Sequence, residues 1–302
     1  MGLVVVQDQT GAKRRVKVGL ATRQATIAYL FLAPALIYFT IFFFYPIAIE
    51  VWTSLQSSTA FVGLANYVQA FQDQRTLESF KTTFIFAAGV TVLSIVLGLG
   101  MALLLDQPLK GRAFFRAALL VPYLTSIAIV GLMWRNILDP QIGVLNALLQ
   151  TFHLPTQDWL INYHAALPMV IGIAVWQGVG YTMVFFLAGL QGIPEQYYEA
   201  SRVDGAGAFT RFRFITLPLL APTTLFVVII GVINTLQNFG LPYVITQGGP
   251  ADSTRLYVYH VFSIAFTDNN IGYASALTFL LFLVILALTI IQMRLGRKAT
   301  EY

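Results

Sequence analysis

Side chains able to do chemistry are few in this sequence, and several stand inside apolar surroundings. Gln177 and Tyr181 interrupt one long hydrophobic run, and Asn234, Gln237 and Asn238 cluster at the end of another. Each amide offers donors and an acceptor, which suits a hydroxyl-rich solute, and a tyrosine ring can stack on a sugar face. Hydrogen bonding between neighbouring helices is the alternative use of the same groups. A second polar group is the segment Glu199-Ala200-Ser201-Arg202-Val203-Asp204-Gly205, followed by Phe209, Arg211, Phe212, Arg213 and Phe214 and closed by Ile215-Thr216-Leu217-Pro218. It mixes aromatic rings with opposite charges between two apolar runs. That composition suits a protein groove, or an ordinary interfacial helix pair.

Other chemistries find no support. The three histidines, His153, His164 and His260, are far apart in expected loops and are read as structural or solvated, so no metal site is expected. The chain has no cysteine, which removes disulfides and thiolate ligands. Asp106 and Asp139 stand at the ends of apolar runs, and no nucleophile, base or metal set converges with them. No G-x-x-x-x-G-K-[ST] sequence occurs, so by that test this is not a nucleotide-binding subunit. Gly98-Leu99-Gly100 and Gly178-Val179-Gly180 lie inside apolar runs without a lysine.

The elements that hold these residues are set by composition. The chain has 302 residues, of which 57% are hydrophobic and 10% charged, with mean hydropathy +0.73. Soluble domains carry about 25% charged residues. A helix crossing a bilayer needs roughly 20 mostly apolar residues, and six windows qualify: 27–49, 82–105, 114–134, 165–190, 217–236 and 273–293. Unpaired backbone is too costly in hydrocarbon for anything but helices in such continuous runs. The fold class is therefore an all-α integral membrane protein with six transmembrane helices. Residues 1–26 form a basic tail, 27–293 one membrane domain and 294–302 a second tail. Kinks are expected at Pro34, Pro122, Pro168 and Pro222; Gly98, Gly100, Gly172, Gly178, Gly180 and Gly189 either favour close helix contact or reflect how common glycine is in membrane helices.

Basic residues set the orientation. With the amino terminus inside, the inner segments hold Lys13, Arg14, Arg15, Lys17, Arg23, Lys110, Arg112, Arg116, Arg202, Arg211, Arg213, Arg294, Arg297 and Lys298. Only Arg75, Lys81, Arg135 and Arg255 fall outside. Both termini and the 191–216 loop are thus expected in the cytoplasm. That loop reads as a helix from Pro194-Glu195 to about Val203, a turn at Asp204-Gly205 and a second short helix over about 208–215.

The spacing Glu199-Ala200-Ser201, then Gly205, then Ile215, then Leu217-Pro218 resembles the Glu-Ala-Ala signature of permease subunits of binding-protein-dependent ABC importers. Ser201 in place of the second alanine is its one departure. Leu32-Ala33-Pro34, Tyr45-Pro46, Phe61-Val62-Gly63-Leu64-Ala65-Asn66-Tyr67, Leu120-Val121-Pro122 and Thr246-Gln247-Gly248-Gly249-Pro250 are similar to the carbohydrate branch, of maltose or glycerol-phosphate type. The resemblance covers nearly the whole chain and matches six-span members.

It implies a type I ABC importer permease fold, in which a coupling helix at Glu199, Ala200, Ser201, Asp204 and Gly205 sits in a cleft of a cytoplasmic ATPase. It also implies a second, different permease, two ATPase subunits, an extracytoplasmic solute-binding protein and a carbohydrate carried across the lipid bilayer. ATP and magnesium would bind on the partner ATPase, with no cofactor in this chain. The setting is a bacterial or archaeal cytoplasmic membrane, and nucleic acid is not among the expected partners. A neutral saccharide is favoured over glycerol 3-phosphate or a related polyol, because no buried basic residue is evident to hold a phosphate. A secondary transporter is the rival of different class; it would need ionisable groups within the spans for ion coupling.

Overall fold

A computed structural model describes residues 5–7, 13–15, 18–57 and 60–300. Of the basic side chains expected in the two tails, Arg294 is exposed and the others lie outside the described side chains. A two-stranded antiparallel ribbon, β1 (Val5–Gln7) and β2 (Lys13–Arg15), precedes an otherwise helical chain.

The first apolar run is a continuous helical rod: α1 (Val18–Phe39), a π-helical turn (Thr40–Phe44) and α2 (Tyr45–Ser54). Helix therefore starts well before the expected boundary at residue 27. A second π-turn, Phe212–Thr216, also stops two residues before a proline. Pro46 and Pro218 cannot donate to the carbonyl four residues back, so the helix widens by one residue there. The apolar window of the first rod buries none of its residues against the rest of the chain.

After α3 (Ala65–Gln72) comes α4 (Gln74–Leu105), the longest helix. Its faces are arranged for lipid. The inward face carries Ser79, Thr83, Thr91, Ser94, Gly98 and Ala102, while Val92, Val96, Leu97 and Leu104 point out. Small and weakly polar residues face neighbouring helices because lipid tails compete equally for large apolar ones.

The expected span 114–134 is broken in two. Helix α5 (Arg112–Leu124) and helix α6 (Ile127–Ile137) meet at 96°. Pro122 lies two residues before the break, which gives the kink a physical cause. Helix α7 (Val144–Thr151) follows, then α8 (Tyr163–Gln191), α9 (Glu195–Val203) and α10 (Ala208–Arg211). Next come α11 (Leu217–Leu219) and α12 (Ala221–Leu236). The segment 237–272, expected as a loop, contains α13 (Gly240–Ile245) and α14 (Tyr257–Phe266). Helix α15 (Ile271–Thr300) ends the described chain. Among the described residues, five helical stretches are long and apolar enough to cross a membrane, and six if the bent pair counts as one span.

Helix α8 is the axis of the bundle, packed on α4, α5 and α12. Glycine permits the closest of these contacts. A Cβ on Gly180 would collide with the Leu119 carbonyl oxygen on α5, one on Gly98 would come 2.7 Å from Thr182, and one on Gly189 2.6 Å from Thr223. Gly100, Gly172 and Gly178 meet nothing within 4 Å, so they are not the packing glycines the sequence pattern suggested.

At one end of the bundle a polar brace ties α4 to α14 and α15. Thr76 Oγ1 lies 2.8 Å from Asp73 Oδ2, 3.0 Å from His260 Nε2 and 2.9 Å from the Tyr273 hydroxyl, which itself donates to Asp73. Beside it Asp252 accepts from both Arg75 and Arg255. His260 is therefore a buried structural group on a helix, not a loop residue, and His164 lies in the first turn of α8. Burial, reinforced by Arg255, pushes His260 down to about 4. Burial opposes ionisation of Asp73, but hydrogen bonds from Thr76, Tyr273 and the backbone of Arg75 and Thr76 outweigh it and hold the carboxyl below its ordinary range.

Candidate solute path and coupling loop

Two places gather the residues singled out from sequence. The first is a cavity of about 260 Å³ within the bundle, walled by α4, α5, α8 and α12 with Ile127 of α6 and Leu241 of α13. Gln177, Tyr181, Asn234 and Asn238 line it. Asn234 lies in the last turn of α12 and Asn238 two residues past its end, where its N–H donates to the Thr235 carbonyl at 3.2 Å. Gln237 is left out: it is the residue just past the end of α12 and is exposed. The remaining wall is apolar or hydroxylic, including Phe86, Thr91, Ser94, Phe226 and Thr235. No Asp, Glu, Lys, Arg or His contributes to it.

Tyr181 is already engaged on one face. It stacks on Tyr123 with centroids 4.4 Å apart and planes 16° from parallel, and it meets Phe185 edge-on at 4.7 Å. Tyr123 and Thr91 also line the cavity, and the sequence reading passed over both. The signal for Tyr123 was its place next to Pro122, where the third span breaks and turns the ring inward. For Thr91 the only signal was a hydroxyl in mid-helix, which many membrane helices carry without consequence.

The second place is the loop between α8 and α12. Pro194 caps α9, Glu195 begins it, and the helix ends at Val203, as the pattern of Pro194-Glu195 and Asp204-Gly205 indicates. Gly205 adopts φ +79°. A side chain there is disfavoured by about 1–2 kcal/mol through backbone conformation alone, since a Cβ would meet nothing within 4 Å. The second short helix, expected to run to 215, is α-helical only over α10 and then widens into the π-turn before Pro218.

Glu199, Ala200, Asp204 and Gly205 are exposed, and so are Val203 and Phe209, at 89% and 78%. Ser201 faces the other way. It is buried, its hydroxyl donates to the Tyr198 carbonyl at 2.8 Å, and its carbonyl accepts from the Ala206 N–H at 2.9 Å. Tyr198 in turn pairs with Thr216 at 3.0 Å. A small residue at 201 therefore serves the closure of the loop on itself, and the outward surface is made by its neighbours. The Glu195–Arg202 pair, at 3.9 Å and exposed, adds little.

Residues 94–301 match the model of the family described as "Binding-protein-dependent transport system inner membrane component". This chain belongs to that family. The permease is 34% identical over 283 residues to the sn-glycerol-3-phosphate transport system permease protein UgpA of Agrobacterium fabrum, covering 91% of this chain and 96% of that protein. It is 32% identical over 292 residues to the probable ABC transporter permease protein YurN of Bacillus subtilis, covering 93% and 100%. In fold it is similar to a chain of a bacterial alginate ABC transporter solved with an alginate pentasaccharide-bound periplasmic protein, with TM-score 0.84, 21% identity and coverage of 95% and 99%.

The type I importer permease fold and the multi-pass inner-membrane character expected from sequence are thereby established. The chain is a non-catalytic permease subunit, ATP hydrolysis belongs to a separate subunit, and the family works with a partner permease and a solute-binding protein. Among the described residues no three His, Asp or Glu side chains are grouped as a metal site would require.

Proposed function

We propose that this permease forms half of the pore of an ATP-driven importer of neutral saccharides. The observation that carries the substrate class is the cavity wall, where amides and hydroxyls are set among aromatic rings without an ionisable carboxylate or cation. Hydroxyl-rich solutes pair with such groups without needing a buried counter-charge, and a buried unpaired charge would be costly.

Drive enters through the loop 194–218. Glu199 pairs with a basic group of the ATPase; Val203 and Phe209 give apolar contact beside it; Gly205 supplies the turn that presents them. Two ATPase subunits, binding ATP and magnesium, close on each other and push this loop. The bundle then changes its outward or inward exposure as a two-state movement. A different second permease completes the pore, both termini lie in the cytoplasm, and an extracytoplasmic binding protein delivers the solute at the opposite face.

A second reading, import of sn-glycerol 3-phosphate, is favoured by the name of the Agrobacterium relative. It requires the partner permease to supply the positive charge this cavity lacks. Uptake into proteoliposomes holding the assembled transporter, measured with labelled neutral saccharides and with sn-glycerol 3-phosphate, separates the two. ATP-dependent uptake of the phosphate ester alone would overturn the saccharide reading.

A further inference from the structure

Several side chains in the described protein carry a buried polar atom without a hydrogen-bond partner in the chain, and two of them line the cavity: Thr91 Oγ1 and Asn238 Oδ1. Thr91 is the less expected of the two. It stands on α4, where Thr76, Ser79 and Thr83 all find hydrogen-bond partners for their hydroxyls, and it is only 7% exposed.

A threonine inside a helix normally returns its hydroxyl to a carbonyl three or four residues back. Thr83 does so to Ser79 at 2.7 Å, Thr235 to Gly231 at 2.7 Å, Thr278 to Ala274 at 3.0 Å and Thr289 to Ile285 at 2.8 Å. Thr91 does not. Its neighbour across the helix contact is Gly231 on α12, which offers no side-chain partner; a Cβ there would touch the Thr91 methyl at 3.4 Å. A buried polar group left unpaired costs about 1–3 kcal/mol. Valine would fill the same volume without that cost. Asn238 presents the same problem from the opposite element, at the end of α12.

We propose that Thr91 is a specificity-determining residue of this permease, and that with Asn238 it holds a hydroxyl-bearing solute between the second and fifth spans. A hydroxyl both donates and accepts, so it satisfies either atom. A fully ionised phosphate group only accepts and leaves the Asn238 Oδ1 unmet, so sn-glycerol 3-phosphate meets that atom only through its glycerol hydroxyls. Selection then comes from the cost of leaving these buried groups unpaired when a solute lacking the matching hydroxyl enters, a form of discrimination stronger than shape alone in an apolar pocket.

This inference rests on the cavity being the solute path, and its test distinguishes the two. The assembled transporter is reconstituted with its binding protein, and initial uptake is followed for a panel of labelled neutral mono- and disaccharides, their deoxy analogues and sn-glycerol 3-phosphate. Thr91→Val is expected to lower uptake of the preferred saccharide about tenfold, the loss of one buried hydrogen bond. Thr91→Ser restores it, and one deoxy analogue is carried equally by wild type and Thr91→Val. Co-purification of the complex verifies that each variant assembles. If the wild type imports saccharides and Thr91→Val matches it across the whole panel, Thr91 has no such role while the solute path stands. A uniform loss across the panel, unrelieved by serine, also overturns the role and assigns Thr91 to packing. If the wild type carries only sn-glycerol 3-phosphate, and Thr91→Val carries it equally well, both ideas fall.

Discussion

The loop 194–218 and the cavity are built in opposite ways. The loop is local: its helix, its turn and its closing contacts come from some two dozen consecutive residues. Ser201, Tyr198 and Thr216 fasten it to itself, and its outward face is left free. The cavity is assembled from six helices spread along the sequence, and no short stretch of chain encloses it. A local device tolerates little change at the one residue that sets its backbone. A distributed site spreads recognition over several side chains, each contributing modestly.

The sharpest way to break this contrast is at Gly205. Gly205→Trp forces a bulky residue into a left-handed turn on the surface assigned to the ATPase, and solute uptake is expected to fall below detection. The variant is expected still to insert, because a Cβ there meets nothing within 4 Å and the position is exposed; membrane fractionation checks that. Uptake at the wild-type rate would count heavily against the coupling role.

Next comes the support of the cavity. Gly180→Leu drives a side chain into the Leu119 carbonyl, parts α5 from α8 and separates Tyr123 from Tyr181. A cost of about 1–3 kcal/mol is expected for such overpacking, read as a lower thermal midpoint of the purified complex. Gly178→Ala, at an open position, leaves the midpoint unchanged.

Acid sharpens the same distinction. His260 braces α4, one wall of the cavity, and is held neutral by burial with Arg255, Arg75, Asp73 and Asp252 around it. Its native value of about 4 lies below the ordinary 6.5, so the unfolded chain binds the extra proton first. Stability is full above about pH 6.5 and falls as pH drops toward 4, by at most about 1.4 kcal/mol per pH unit. Denaturation at pH 7 and pH 5 tests this, and His260→Gln should flatten the dependence.

The smallest effects lie among the amides. Asn238→Leu is expected to cut uptake about tenfold, while Gln237→Ala, outside the cavity, changes it less than twofold. Equal effects at the two positions would show that the cavity does not mark the path.

The same contrast explains what was legible beforehand. Hydropathy located all six apolar runs, because a bilayer demands continuous apolar helices. The loop was readable because proline, acidic residues and Asp-Gly signal helix ends locally. The 96° break after Pro122 was expected only as a kink, since its size depends on how α6 packs against α13. Thr91 and the exclusion of Gln237 were not readable, and Tyr123 only through its place beside Pro122, because which helix face meets a neighbour depends on contacts between distant segments. Ser201 was read as part of an outward docking surface, and only the path of the following turn shows that it points inward.

The central claim is that this loop meets the ATPase. The chain contains no cysteine, so Ala200→Cys and Asp204→Cys each introduce a unique thiol. Crosslinking of these thiols in the assembled transporter, in membranes and with ATP added or withheld, tests the claim directly. The account predicts a crosslink to the ATPase subunit whose yield changes with ATP. Thiols that never join the ATPase, and that react with an impermeant reagent applied to the outside of intact cells, would contradict it.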